Sequence, residues 1–319
     1  MCAGTVADLA REAGRPLSVD DPELLYRYDS LDSLLAVFWL IQELLGTRDD
    51  WGRIAYQSLV DAAGHGLRYR EMFFRPARHL ADGHEFGEIV AGLMDDIASA
   101  EAETAVRCML LADIDRACGP AAGDELVNRL TALRRSGRAE RVIGVGVDST
   151  ELGGDLRAYR PAFHEAAKAG FRRTCHAGEA VGRGPDNIRV AVDGLGAERI
   201  DRGVAIVEGP DLVDRLAAER IPLTACPTSN VVIANRFRSL GEHPLRQMRD
   251  AGLLVTINTD DPTMEDLDLG REYRRVAAAH AWDATDMGSL TLEGIEATWL
   301  EAPDRAALTR EFEGMLAGL

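Results

Sequence analysis

The sequence predicts an α/β fold on a parallel sheet, either a (β/α)8 barrel or a doubly wound sheet. Three observations predict it. From Leu67 onward, short apolar runs alternate with amphipathic stretches. Seven such runs occur within about 190 residues, and most of them end in a cluster of polar residues. In either architecture a functional site lies at those polar ends, the carboxyl ends of the strands.

Before this alternation the chain reads mostly as helix. Leu24–Leu45 carries apolar residues at three- and four-residue spacing, with Asp29, Ser30 and Asp32 as candidate caps near an internal start; Gly87–Ala102 repeats the pattern. The strand candidates, in order, are Tyr69–Phe74, Val106–Ala112, Val142–Val147, Phe171–Cys175, Ile200–Val204, Ile221–Ala225 and Leu254–Ile257. Each is too short for a helix of ordinary length. Amphipathic stretches at Asp124–Arg135, Ala158–Ala169, Asp186–Leu195, Pro210–Glu219 and Pro244–Ala251 separate the later ones. The count falls one strand short of a complete barrel. A dinucleotide site, the usual companion of a doubly wound sheet, has weak support. Gly144-Val-Gly146 lies inside a strand without the third glycine, and Gly182-Arg-Gly184 follows a loop.

No Ser-, Pro- or Gly-rich linker divides the 319 residues, so one domain over 1–319 is expected. A formal charge of −17 makes nucleic acid or an anionic membrane a poor partner. The longest apolar run, Leu34–Ile41, has eight residues, far below the roughly 18 of a membrane span. No signal peptide pattern opens the chain, and the five cysteines form no CxxC, so a reducing cytoplasm is the expected location.

Three strand-end clusters carry chemistry: Thr174-Cys-His-Ala-Gly-Glu179, Cys226-Pro-Thr-Ser-Asn230 and Asn258-Thr-Asp-Asp-Pro262. A histidine, a glutamate and paired aspartates converging on one mouth can bind a metal and move protons. Taken singly, each has a blander reading. The histidine would be a hydrogen-bonded core residue, and Asp-Asp-Pro a turn and helix cap. Cys226 reads as a buried strand-end thiol, since no partner histidine is identifiable. Arg75, Arg78, His79 and His84 read as a solvated loop after Tyr69–Phe74, and His164 and Lys168 as an exposed helix face.

Taken together, HAGE at 176–179, ERID at 198–201, CPTSN at 226–230, EHP at 242–244 and NTDDP at 258–262 resemble the adenosine deaminase family of zinc-dependent barrels. Val142–Gly153 and Phe74–His79 look most like its adenine deaminase and aminodeoxyfutalosine deaminase branch. The resemblance implies a (β/α)8 barrel and hydrolytic deamination of an aminopurine base or nucleoside. In it, a zinc-bound hydroxide attacks the carbon that bears the amine. It implies His176 and Asp260 as zinc ligands and Glu179 as the residue protonating the ring nitrogen. Asp261 would bind the imidazole nitrogen, Gly178 would allow close approach of the backbone, and Asp148 and Ser149 would lie in a loop lining the pocket.

Two departures bear on this chemistry. Family members open with a strand ending in H-x-H-L-E-G-T. Here Met1-Cys-Ala-Gly-Thr5 matches only the G-T, so the first strand is expected to be missing or replaced and the zinc set is left at His176 and Asp260. After the later strand the family has D-H-G, whose histidine deprotonates the attacking water, whereas this chain has Asp201-Arg202-Gly203. Arginine stays protonated and cannot be that base. Arg202 is instead expected to pair bidentately with Asp260 and occupy part of the site.

Three readings follow from these departures. The first is a zinc deaminase. The second is a metal-free descendant that binds a purine-like ligand or a partner protein. The third is an enzyme using Glu179 and Asp261 for other acid–base chemistry. An open barrel edge would favour homo-oligomerisation.

Overall fold

The computed structural model describes residues 2–28, 31–152, 154–179 and 182–318, leaving aside the side chains of residues 31, 32 and 35. The expected caps Asp29 and Ser30, and the side chain of Asp32, lie outside the described residues.

In chain order the elements are α1 (Ala3–Glu12), α2 (Leu31–Leu44), α3 (Arg48–Ala63), β1 (Tyr69–Phe74), α4 (Ala77–Ala81), α5 (Phe86–Thr104), β2 (Arg107–Asp115) and α6 (Pro120–Arg135). Next come β3 (Val142–Asp148), α7 (Arg160–Lys168), β4 (Arg172–Ala177), α8 (Gly184–Arg189), β5 (Arg199–Arg202), α9 (Pro210–Glu219) and β6 (Leu223–Ala225). The chain continues through α10 (Pro227–Val232), α11 (Leu245–Asp250), β7 (Val255–Ile257), α12 (Leu269–His280), α13 (Ala284–Glu296) and α14 (Ala302–Leu316). The seven strands follow one another through the sheet in chain order, and the pairs from β3 to β7 are parallel. Each strand coincides with one of the seven apolar runs. No helix of the described residues is long and apolar enough to cross a membrane.

The chain forms two compact units. One comprises Met1–Leu110, Arg129–Val142 and Asp261–Leu269, and the other Leu111–Asn128, Ile143–Asp260 and Gly270–Leu319. In the first, Thr47 caps α3: its hydroxyl accepts from the Asp50 N–H, and the Asp50 carboxylate accepts from the Thr47 N–H at 2.8 Å. Helices α3 and α5 approach closely through Gly52 and Gly92; a Cβ on Gly52 would lie 2.9 Å from the Gly92 carbonyl. In the second unit, α7, α8, α9 and α10 each carry proline in their first turn, where no N–H is needed. Its core includes Phe163, Ile188, Ile200, Ile206 and Leu212, all fully buried.

The segment from Leu24 has the expected internal start. Pro22–Leu24 is a separate 3-10 turn, capped by Asp21, whose carboxylate accepts from the Glu23 N–H at 3.1 Å, and α2 starts at Leu31. Two other expectations need correction. Asp186–Leu195 changes character: α8 stops at Arg189, and Val190–Leu195 widens into a π turn closed by Gly196 at φ 66°. The supposed loop after β1 is the short helix α4, and His79 there is buried, with a ring nitrogen 3.1 Å from Gln42 Oε1 and edge contacts to Trp51 and His84. Packing against Trp51 turns His79 inward, while Arg78 stays exposed. His164 and Lys168 are exposed, and Cys226 is buried, as expected.

Candidate functional site

The parallel register of the second unit brings the strand ends level: His176 is opposite Asp201 and Ala177 opposite Arg202. Around these ends the structure gathers His176, Glu179, Arg202, Ser229, Asn230 and Asp260. Two of them, Arg202 at φ 71° and Asp260 at φ 58°, have left-handed backbones, as does Ser149 at φ 73°. Such conformations are costly for non-glycine residues and cluster at functional sites.

The centre of the group is an ion pair. Arg202, only 8% exposed, donates from Nη2 to Asp260 Oδ2, and the Ser229 hydroxyl donates to that same oxygen at 2.6 Å. The expected bidentate pair does not form. Arg202 Nε instead faces Glu179 Oε1 at 3.7 Å, so the guanidinium bridges two carboxylates that would otherwise repel. Arg202 Nε and Nη1 are buried and have no hydrogen-bond partner among the described residues. Burial works against the Arg202 charge, but Asp260 and Glu179 hold its pKa well above the ordinary value. Burial likewise favours the neutral form of Asp260, and the Arg202 charge outweighs it, so its pKa is lowered.

Glu179 is held from two sides. Burial raises its pKa, while Arg202 and Asn230, whose Nδ2 donates to Oε1 at 3.0 Å, oppose the rise. Its backbone is fixed by Glu151, whose carboxylate accepts from the N–H of Gly178 at 3.0 Å and of Glu179 at 2.6 Å, and from Asn187 Nδ2 at 2.6 Å. The loop after β3 therefore shapes the HAGE turn through Glu151. Asp148 closes β3, and the Ser149 carbonyl accepts from Arg116 Nη1 at 3.0 Å. Arg116 also donates to the carbonyl of His176.

Gly178 sits at φ 86°, and a Cβ there would lie 2.6 Å from Ile188 Cδ1. Its role in the folded chain is packing of the turn. Gly178→Ala is expected to cost about 1–3 kcal/mol, seen as a lower urea midpoint. An unchanged midpoint would show that Ile188 repacks freely.

His176 Nδ1 lies 3.6 Å from Asp201 Oδ2. Burial pushes its pKa down to about 4 despite Asp201. Asp201, 2% exposed, accepts from the hydroxyls of Thr174 at 2.6 Å and Thr224 at 3.0 Å. Asp261 belongs to the first unit, where burial and then the Asp261 charge raise Tyr28 to about 12.

Sequence reasoning missed Arg116 and Glu272. Glu272 of α12 is fully buried, and its carboxylate accepts from the Thr228 N–H at 2.9 Å and from the Thr228 hydroxyl, fixing the segment that carries Ser229 and Asn230. An acid inside an amphipathic helix gives no sequence signal of such a role.

A parallel sheet with a polar cluster at the carboxyl ends of its strands has the site placement of α/β enzymes. The chain belongs to the adenosine deaminase family, whose profile matches residues 4–314. It is 38% identical over 259 residues to adenine deaminase of Streptomyces coelicolor, covering 80% of this chain and 73% of that protein. It is 32% identical over 311 residues to aminodeoxyfutalosine deaminase of the same organism, covering 97% and 79%. Among solved structures, adenine deaminase from Arthrobacter aurescens superposes with a TM-score of 0.91 at 29% identity, over 99% of this chain and 95% of that one. An amidohydrolase from Burkholderia ambifaria with bound Zn superposes at 0.86 and 27% identity, over 100% and 90%. The chain is thus an adenosine deaminase-like member of a hydrolase family whose kin act on purine bases and nucleosides.

Zinc belongs to that family in general, but the donor set here does not fit it. Among the described residues no three His, Cys, Asp or Glu side chains are placed to hold a metal ion. Asp260 Oδ2 already accepts from Arg202 and Ser229, and the Arg202 guanidinium puts a fixed positive charge beside His176 and Asp260. Arg202→His is expected to leave this chain without tight zinc, since His176 and Asp260 remain only two ligands and Asp260 also serves Ser229. Near-stoichiometric zinc in that variant after chelator dialysis, read by plasma mass spectrometry, would contradict this.

Proposed function

We propose that this chain binds a purine base or nucleoside at the strand-end mouth through Glu179, Arg202 and Asp260, without metal-assisted hydrolysis. The observation that carries the proposal is the Arg202–Asp260 ion pair: a guanidinium, permanently protonated, holds the carboxylate that a metal would need. The family relationship supports a purine as the ligand. Glu179 can meet a ring nitrogen as donor when protonated and as acceptor when ionised. The buried Nε and Nη1 of Arg202 offer further donors to an acceptor on the ligand, once Glu179 and its neighbours open to admit it.

Calorimetric titration of the purified chain with adenine, hypoxanthine, adenosine and inosine tests the first half, and ammonia release from adenine and adenosine with added zinc tests the second. Micromolar binding of at least one purine, with no ammonia above a buffer blank, is the expected result. Failure of all four to bind would overturn the ligand class. Zinc-dependent ammonia release would overturn the metal-free reading and restore deamination.

A further inference from the structure

We infer that His243 and Asn230 form a relay of fixed polarity that places the Glu179 proton on Oε2, making both of them positioning residues for that acid. The inference rests on reading Glu179 as the group that meets the ligand, and it adds which of its oxygens does so.

The polarity follows from a backbone group, whose direction is not open to choice. The Leu245 N–H donates to His243 Nδ1 at 3.2 Å, so that nitrogen carries a lone pair. A neutral imidazole then carries its proton on Nε2. His243 is 3% exposed, and burial, with His280 nearby, pushes its pKa down to about 3, so the ring is neutral across the working range. His243 Nε2 lies 3.1 Å from Asn230 Oδ1 and must donate to it. That fixes the Asn230 amide, whose Nδ2 donates to Glu179 Oε1 at 3.0 Å. The carbonyl oxygen of a carboxylic acid is a stronger acceptor than its hydroxyl oxygen, so an N–H donated to Oε1 favours the Glu179 proton on Oε2.

Each atom of the relay has one use. His243 stacks edge-on against Phe237, with ring centroids 5.0 Å apart, which fixes the plane of the imidazole. Asn230 is fully buried, and its backbone N–H donates to the Cys226 carbonyl at 2.9 Å, which fixes the stem of the amide. Arg202 Nε, 3.7 Å from Oε1, adds positive charge on the same side. Both influences favour a lone pair on Oε1. The charged groups acting on Glu179 are Arg202, Asp260 and Glu151, and His280 acts on His243. None of the three around Glu179 reverses the polarity, because it is set at the Leu245 N–H.

Removing the His243 donor frees the amide. In His243→Leu, Asn230 can turn over and present Oδ1 to Glu179, an arrangement that binds the protonated carboxyl better than the ionised one. The proton then sits on Oε1, away from the ligand. His243→Gln keeps a donor for Asn230 and an acceptor for Leu245.

Two NMR measurements on the ligand-free chain test this, and neither depends on whether purines bind. Long-range 1H–15N spectra of histidine-labelled protein should show His243 neutral, with Nε2 protonated and Nδ1 bare, from pH 5 to pH 8. The opposite tautomer, or a charged ring, would overturn the relay even if no variant folds. Carboxyl 13C titration, with the Glu179 signal identified by its loss in Glu179→Gln, should show a midpoint roughly one pH unit higher in His243→Leu and restored in His243→Gln. An unchanged midpoint in His243→Leu would sink the proposal, because a merely structural histidine would lower stability without moving that carboxyl.

Discussion

Replacing Arg202 with methionine is expected to destabilise the folded chain by about 3–5 kcal/mol, the usual cost of removing one partner from a buried ion pair. The size follows from what is left behind. Asp260 would keep the Ser229 hydroxyl at 2.6 Å but lose the guanidinium that pairs with it, and Glu179 would lose the positive charge 3.7 Å away. Two carboxylates would then face each other across a mouth where the Asp260 side chain is 22% exposed and that of Glu179 32%. Methionine keeps the apolar stem, so the loss reports charge more than packing. Pairing the change with Asp260→Leu removes the stranded carboxylate and should recover most of the stability, since a buried pair is often replaceable by apolar groups. Urea unfolding of the three variants beside the parent chain checks both statements. A parent-like midpoint for Arg202→Met alone would mean that solvent already screens the pair, and the argument against a metal at Asp260 would lose its energetic basis.

The strands were legible because their physics is local. Each of β1 to β7 overlaps a short apolar run, and all seven depart from the expected bounds by at most three residues at either end. The strand-end clusters were equally legible, because chain direction puts residues 176–179, 226–230 and 258–260 at corresponding ends of parallel strands. What escaped depends on contacts far apart in sequence. Glu272 meets Thr228 across 44 positions, and Arg116 reaches the His176 carbonyl across 60. Neither partner announces the other, since an arginine after a strand and a glutamate in a helix usually face water. The expected bidentate Arg202–Asp260 pair failed for a related reason. The second contact of the Arg202 guanidinium is Glu179, the Arg202 backbone is left-handed, and neither feature can be read from Asp201-Arg202-Gly203.

Acid should weaken this fold from about pH 6.5 downward, through histidines buried in the neutral form. His243 is pushed down to about 3 and His176 to about 4, both chiefly by burial. As pH falls through 6.5 the unfolded chain takes up these protons while the folded chain refuses them. The unfolded state therefore binds more protons, and stability declines with falling pH until the folded values are reached. Each histidine contributes a slope of about 1.4 kcal/mol per pH unit well below 6.5. Glu179 and Glu272 act in the opposite sense: burial raises both, so the folded state takes their protons first and gains stability as pH falls toward the ordinary carboxylate range. The net acid limb sums these groups with others, among them His79, His280 and Asp260, whose pKa values are lowered, so only a comparison isolates one member. His243→Gln removes one titrating ring and keeps its hydrogen bonds, so between pH 6 and pH 4 the parent should lose about 1.4 kcal/mol per pH unit more than the variant. Urea midpoints taken every half unit would show it. Parallel curves would mean that His243 takes up its proton equally in both states. A protonated Nε2 could still donate to Asn230, but Nδ1 would also carry a proton and could not accept from Leu245, so the same result would remove the anchor that fixes the polarity at Glu179.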